Sequence, residues 1–117
     1  MSNKEKFKRK LEENSDRIQD SIVITSPAQA RALLHDDKKK IVTLLIKNEA
    51  MTIQELSVAA IINPGTIKRH LDNLIKENLV FMIFDDRSEY NVKMKYYSAV
   101  CREFRIDIYI PEKITED

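Results

Sequence analysis

Asn63-Pro64-Gly65-Thr66-Ile67-Lys68-Arg69-His70-Leu71 combines a helix start, an apolar seam and adjacent cations. The Asn63 side chain can cap a helix, and Pro64 suits the first helical position, where its missing N–H removes no hydrogen bond. Ile67, Leu71, Leu74 and Ile75 recur at helical spacing and are expected to face inward. Thr66, Lys68, Arg69, Asn73 and Lys76 are then left outside, on a helix running from Pro64 to about Glu77.

Working outward, Thr52 and Glu55 form a capping box ahead of Leu56, Val58, Ala59 and Ala60, which predicts a helix from Ile53 to Ala60. The short turn Ile61-Ile62-Asn63 makes the pair a helix-turn-helix. Upstream, Ser26-Pro27-Ala28-Gln29 carries the same capping signals and predicts a helix to Leu34. His35-Asp36-Asp37 breaks it and starts another, with Ile41, Leu44 and Leu45 inside and Lys38, Lys39, Lys40 and Lys47 outside. Downstream, the β-prone run Val80 to Phe84, the polar Asp85 to Asn91 and the alternating Val92 to Tyr97 read as a hairpin. Phe104, Ile106, Ile108 and Ile110 alternate with polar residues and predict a last strand ending before Pro111. The expected fold class is α+β, mainly α: a winged helix-turn-helix with about four helices, a two-stranded wing and a C-terminal strand.

A chain of 117 residues with 43% hydrophobic content suits one folded unit, expected over residues 23–110. Residues 1–22 read as a charged tail or helix, with Phe7, Leu11, Ile18 and Ile22 along one helical stripe, and residues 111–117 as a tail. No apolar run is long enough to cross a bilayer or to act as a secretory core, so a cytoplasmic location is expected. The single cysteine, Cys101, lies beside Ala99 and Val100 and reads as a buried, inert thiol. With 20 basic against 19 acidic residues the net charge is only +1, so any polyanionic partner must be recognised by local charge.

From Ile24 to Tyr97 the chain resembles the ArsR-like winged helix-turn-helix transcription regulators. The resemblance rests on Asp36-Asp37-Lys38-Lys39-Lys40-Ile41-Val42, Met51-Thr52-Ile53-Gln54-Glu55-Leu56, Pro64 to Leu71, Glu77-Asn78-Leu79-Val80 and the wing ending Tyr96-Tyr97. It implies a homodimer binding double-stranded DNA. Where metal-sensing members have Cys-Val-Cys, this chain has Thr52 and Gln54, which excludes thiolate ligation there. Ile61 occupies the turn position where the family usually has Gly; either the turn differs or Ile61 is strained. The wing tip, Asp85-Asp86-Arg87-Ser88-Glu89, is acidic where a basic one is common.

Base readout is expected from Thr66, Lys68 and Arg69 near the start of the helix, since an Arg can pair with two acceptors of guanine. His70, Asn73, Lys76, Lys93 and Lys95 complete the expected DNA-binding set, although for His70 an internal hydrogen bond is favoured over a phosphate contact because a neutral imidazole brings no charge. No catalytic residue, metal or cofactor is expected: the chain has one glycine, Gly65, and its Cys and His residues are scattered. Ala28 to Leu34, Phe104 to Ile110 and the Phe7 to Ile22 stripe are the candidates for dimerisation. The competing reading is a winged-helix protein–protein interaction module of a transcription assembly, which near-zero net charge would suit.

Overall fold

Side-chain caps set where the helices begin. In the computed structural model, which describes residues 2–111, Ser26 caps α2 (Pro27–Leu34), His35 caps α3 (Asp36–Asn48), Thr52 caps α4 (Ile53–Ala60) and Asn63 caps α5 (Pro64–Lys76). The Thr52–Glu55 capping box closes in both directions. The one expected at Ser26 closes in one direction, because Gln29 Nε2 instead donates to the Glu77 carbonyl at 2.7 Å. That bond ties the start of α2 to the end of α5.

The inner faces of α3, α4 and α5 meet in one core, where Ile41, Leu45, Leu56, Ile67, Leu71 and Leu74 are fully enclosed. Each such side chain contributes about 1.5–3 kcal/mol relative to exposure. Ile75, expected inside, is partly exposed, and His70 takes the inner position instead. At 3.6 residues per turn Ile75 lies roughly 80° from Ile67 around the helix axis, whereas His70 lies roughly 60° from it on the other side, nearer Leu74.

The hairpin pairs β2 (Val80–Arg87) with β3 (Lys93–Ala99) in antiparallel register, with a bulge between Met82 and Phe84. Asp85, Asp86 and Arg87, expected in the tip, belong to the ladder, so the tip shortens to residues 88–92. Cross-strand placement of Asp85 against Lys95 favours this extension. Met51, too short a segment to form an element alone, bonds in both directions with Tyr97 and joins the α3–α4 link to the wing.

Residues 3–24 add what their composition concealed. Asn3–Asn14 form a fifth helix, α1, followed by a single 3-10 turn at Ser15–Arg17 and the strand β1 (Ile22–Ile24). Thus Ile18 and Ile22 leave the helical stripe, and Ile22 pairs with Phe104 in a parallel two-stranded sheet of β1 with β4 (Phe104–Ile106). The last strand stops at Ile106 rather than Ile110, because β1 offers no partner beyond Ile24; the Asp107 N–H to Ile24 carbonyl bond closes the ladder. The expected tail at 112–117 lies outside the described residues.

Helix α1 docks on the wing. Phe7 packs against Phe84 and Tyr96 with ring centroids 6.0 and 5.3 Å away, and Lys6 meets Asp86 at 2.9 Å. Lys10 Nζ donates to the Asp85 carbonyl, and Arg17 donates to that of Ile83 while lying over the Phe81 ring. A helix of this length is marginal alone. Phe7→Ala is therefore expected to lower stability by about 1–2 kcal/mol and to reduce helical circular dichroism, checked by urea unfolding.

Ile61 is left-handed, with φ 57° and ψ 50°, which settles the turn alternative in favour of strain. Its N–H and that of Ile62 both return to the Ser57 carbonyl, and Lys40 Nζ covers the Ala60 carbonyl at 2.8 Å, so two of the last carbonyls of α4 have partners. Its side chain is 88% exposed and gives little packing in return. Ile61→Gly is expected to raise stability by about 1 kcal/mol, read from the shift in urea midpoint.

Candidate nucleic-acid interface

The helix-turn-helix presents one open face. Burial of Ile67, His70, Leu71 and Leu74 turns Arg69 and Lys76 directly away from the core, with Lys68 and Asp72 on one flank and the half-buried Thr66 and Asn73 on the other. Among the described residues Arg69 and Lys76 form no ion pair, so both heads are free to meet an external acceptor. Pro64, Gly65 and the Asn63 cap leave the start of the helix open to solvent. A Cβ at residue 65 would come within 3.1 Å of Asn63 Oδ1, so glycine keeps the cap close.

Lys68 is engaged rather than free. Its ammonium binds both carboxylate oxygens of Asp72 at 2.7 and 2.8 Å, and this hydrogen bond raises its pKa. The pair lies on the solvent surface, where such bridges are worth little and exchange readily. Asp72 was not among the residues selected from the sequence. Its i,i+4 spacing from Lys68 was the available signal.

Asn73 keeps Oδ1 buried without a hydrogen-bond partner. His70, included in the expected DNA-binding set, is corrected to the interior: it is 7% exposed, 3.7 Å from Asp37 Oδ2 and 5.2 Å, between ring centroids, from His35. There it joins α5 to the start of α3. Burial, reinforced by the His35 ring, lowers its pKa despite the nearby Asp37 carboxylate.

The wing distributes its charges over two faces. Along β3, Lys93 and Lys95 alternate with Met94 and Tyr96, which places the lysines opposite the face covered by Phe7. Lys93 reaches Asp85 at 3.3 Å, while Lys95 has no ion pair among the described residues. Both lysines border a groove of about 590 Å³ that also includes Thr52, Gln54, Glu55 and Tyr97. The acidic pair is not an open anionic tip, because Asp86 is held by Lys6 and Lys10. Burial works to raise the Asp86 pKa, but the Lys6 hydrogen bond, the Arg87 N–H and Lys10 prevail and lower it. Cys101 is buried with a raised pKa from the same loss of solvent, and its Sγ lies beside the Glu103 carbonyl.

Residues 36–80, from α3 to the first residue of β2, match the family model described as winged helix-turn-helix DNA-binding. No curated protein matches the sequence. Similar solved structures include HlyU from Vibrio cholerae, with 18% identity, coverage of 62% of this chain and 71% of that one, and a TM-score of 0.49. NolR from Sinorhizobium fredii has 18% identity, coverage of 85% and 78%, and a TM-score of 0.49. The DNA-binding domain of Mb0332 from Mycobacterium bovis, described as homodimeric and as a possible ArsR-family transcriptional regulator, has 17% identity, coverage of 86% and 73%, and a TM-score of 0.49. No helix among the described residues is long and apolar enough to cross a membrane.

The His70 environment gives a pH dependence of known sign. Because its folded-state pKa lies below the ordinary 6.5, the unfolded chain binds the proton more readily. This group's contribution is therefore complete above about pH 6.5 and is lost as the pH falls below it. Urea midpoints for the parent are expected to drop between about pH 7.5 and 5.5. His70→Gln should flatten that drop, and an unchanged pH profile would assign the acid sensitivity elsewhere.

Proposed function

We propose that this protein is a sequence-specific double-stranded DNA-binding transcriptional regulator that acts as a homodimer, with α5 in the major groove. The observation carrying this reading is the open face of α5, where Arg69 and Lys76 form no ion pair among the described residues on a helix whose opposite face is locked into the core. The family match over residues 36–80 supports it. Thr66, Lys68 and Arg69 are assigned to base edges, with Asn73, Lys76, Lys93 and Lys95 to bases or phosphates. Lys68 contributes by exchanging Asp72 for a phosphate or a base acceptor. His70 is left as the internal brace of the helix.

Dimerisation is assigned to the face shared by α2 and the small parallel sheet. Leu34 and Ile106 are exposed there at 59% and 40%, beside Phe104, Val42 and Ile46, around an apolar groove of about 210 Å³. Phe104 and Ile106 of β4 line this groove, and among the described residues the β1–β4 sheet has only two strands, so a second copy would cover an edge as well as the groove. Two recognition helices would then address adjacent half-sites.

Val58 and Ile61, exposed at 81% and 88% on the outer side of α4 and its turn, favour a second reading in which this face contacts a protein of a transcription assembly. Binding to genomic duplex fragments across a salt series separates the two, since absence of salt-dependent binding removes the DNA reading. Arg69→Ala is expected to weaken binding to the selected sequence by roughly 10- to 100-fold while leaving non-specific binding nearly unchanged. Leu34→Glu is expected to shift the protein to monomer in sedimentation and to weaken binding to paired half-sites more than to a single one.

A further inference from the structure

Helix α1 carries its charges in the order that its own dipole disfavours. Apart from Glu5 in the first turn, Lys4, Lys6, Lys8, Arg9 and Lys10 precede Glu12 and Glu13, whereas bases are favourable near the end of a helix and acids near its start. Docking on the wing accounts for Lys6 and Lys10, which hold Asp86, and Arg9 faces Glu13 at 3.7 Å. Lys4 and Lys8 are exposed and make no ion pair among the described residues. They sit one turn apart on the same face.

The start of α1 is at the tip end of the wing: Asn3 and Phe7 border the same small cavity as Arg87, Ser88 and Tyr90. Residues 3–10 hold five bases against one acid, and wing residues 85–95 hold three of each. The wing acids are thus neutralised and then outnumbered. Lys93 and Lys95 lie on one face of the hairpin, and the α1 lysines lie on the other.

We propose that α1 forms part of the DNA-binding surface, with Lys4 and Lys8 contacting backbone phosphates that flank the sequence read by α5. This rests on the DNA-binding reading above and adds a contact region to it. Charge delivered by a docked helix replaces the basic tip that the hairpin lacks. Lys93 and Lys95 supply cations on one side of the wing and α1 supplies them on the other, so a duplex backbone, which presents regularly spaced negative charge, meets positive charge on both sides of the hairpin.

The test is the salt dependence of binding by the full chain and a Lys4→Ala/Lys8→Ala variant, on a selected duplex with long flanks and on one trimmed to the bases facing α5. Two lost phosphate contacts should reduce the slope of log K against log salt by about 1.8 on the long duplex. The preference for the selected over a scrambled sequence should be unchanged, and the two proteins should converge on the trimmed duplex. An unchanged slope for the variant, with the parent binding in a salt-dependent way, overturns this inference and leaves the DNA reading intact. Failure of the parent to bind either duplex overturns both. Equal thermal midpoints for parent and variant confirm that the exposed substitutions leave the fold unaltered.

Discussion

Everything on the open face of this protein depends on the seam where Ile67, Leu71 and Leu74 of α5 close against Ile41 and Leu45 of α3 and Leu56 of α4. The seam fixes the rotation of α5 about its own axis. Because side chains on a helix are separated by fixed angles, locking three of them decides where Arg69 and Lys76 point. His70 adds a polar contact at the edge of the same seam, so the helix is held by α3 through both apolar burial and a titratable side chain.

The turn before α5 makes the tight connection at a local cost. Ile61 accepts a left-handed backbone that a β-branched residue disfavours, while Ser57, Lys40 and Asn63 satisfy the polar groups on either side. Such strain persists where the surrounding packing over-determines the geometry. Here Ala60 and Ile67, both buried, anchor the chain on either side of the turn.

The wing illustrates how an unfavourable local composition is corrected by a distant segment. Taken alone, Asp85-Asp86 would repel a polyanion. Docking of α1 through Phe7, Phe84 and Tyr96 places Lys6 and Lys10 against Asp86, converting the acidic pair into the anchoring point of a basic helix. The interaction is paired charge beside an aromatic cluster, partly shielded from water, which makes it stronger than an exposed bridge.

The order of elements from α2 to the wing was legible in the sequence because its determinants are local: Ser26, Thr52 and Asn63 cap helices by bonds spanning two or three residues, and apolar spacing reveals which helix face is buried. The outward set Thr66, Lys68, Arg69, Asn73 and Lys76 followed from the same periodicity. Tertiary structure alone decided the exchange of Ile75 for His70, since both flank the seam and only the position of α3 distinguishes them. It also decided the pairing of β1 with β4 and the docking of α1, because contacts between residues 66 to 82 apart leave no periodic trace in either segment. Local sequence determined the reading helix and its face; long-range packing determined which charges on the wing remain to be read.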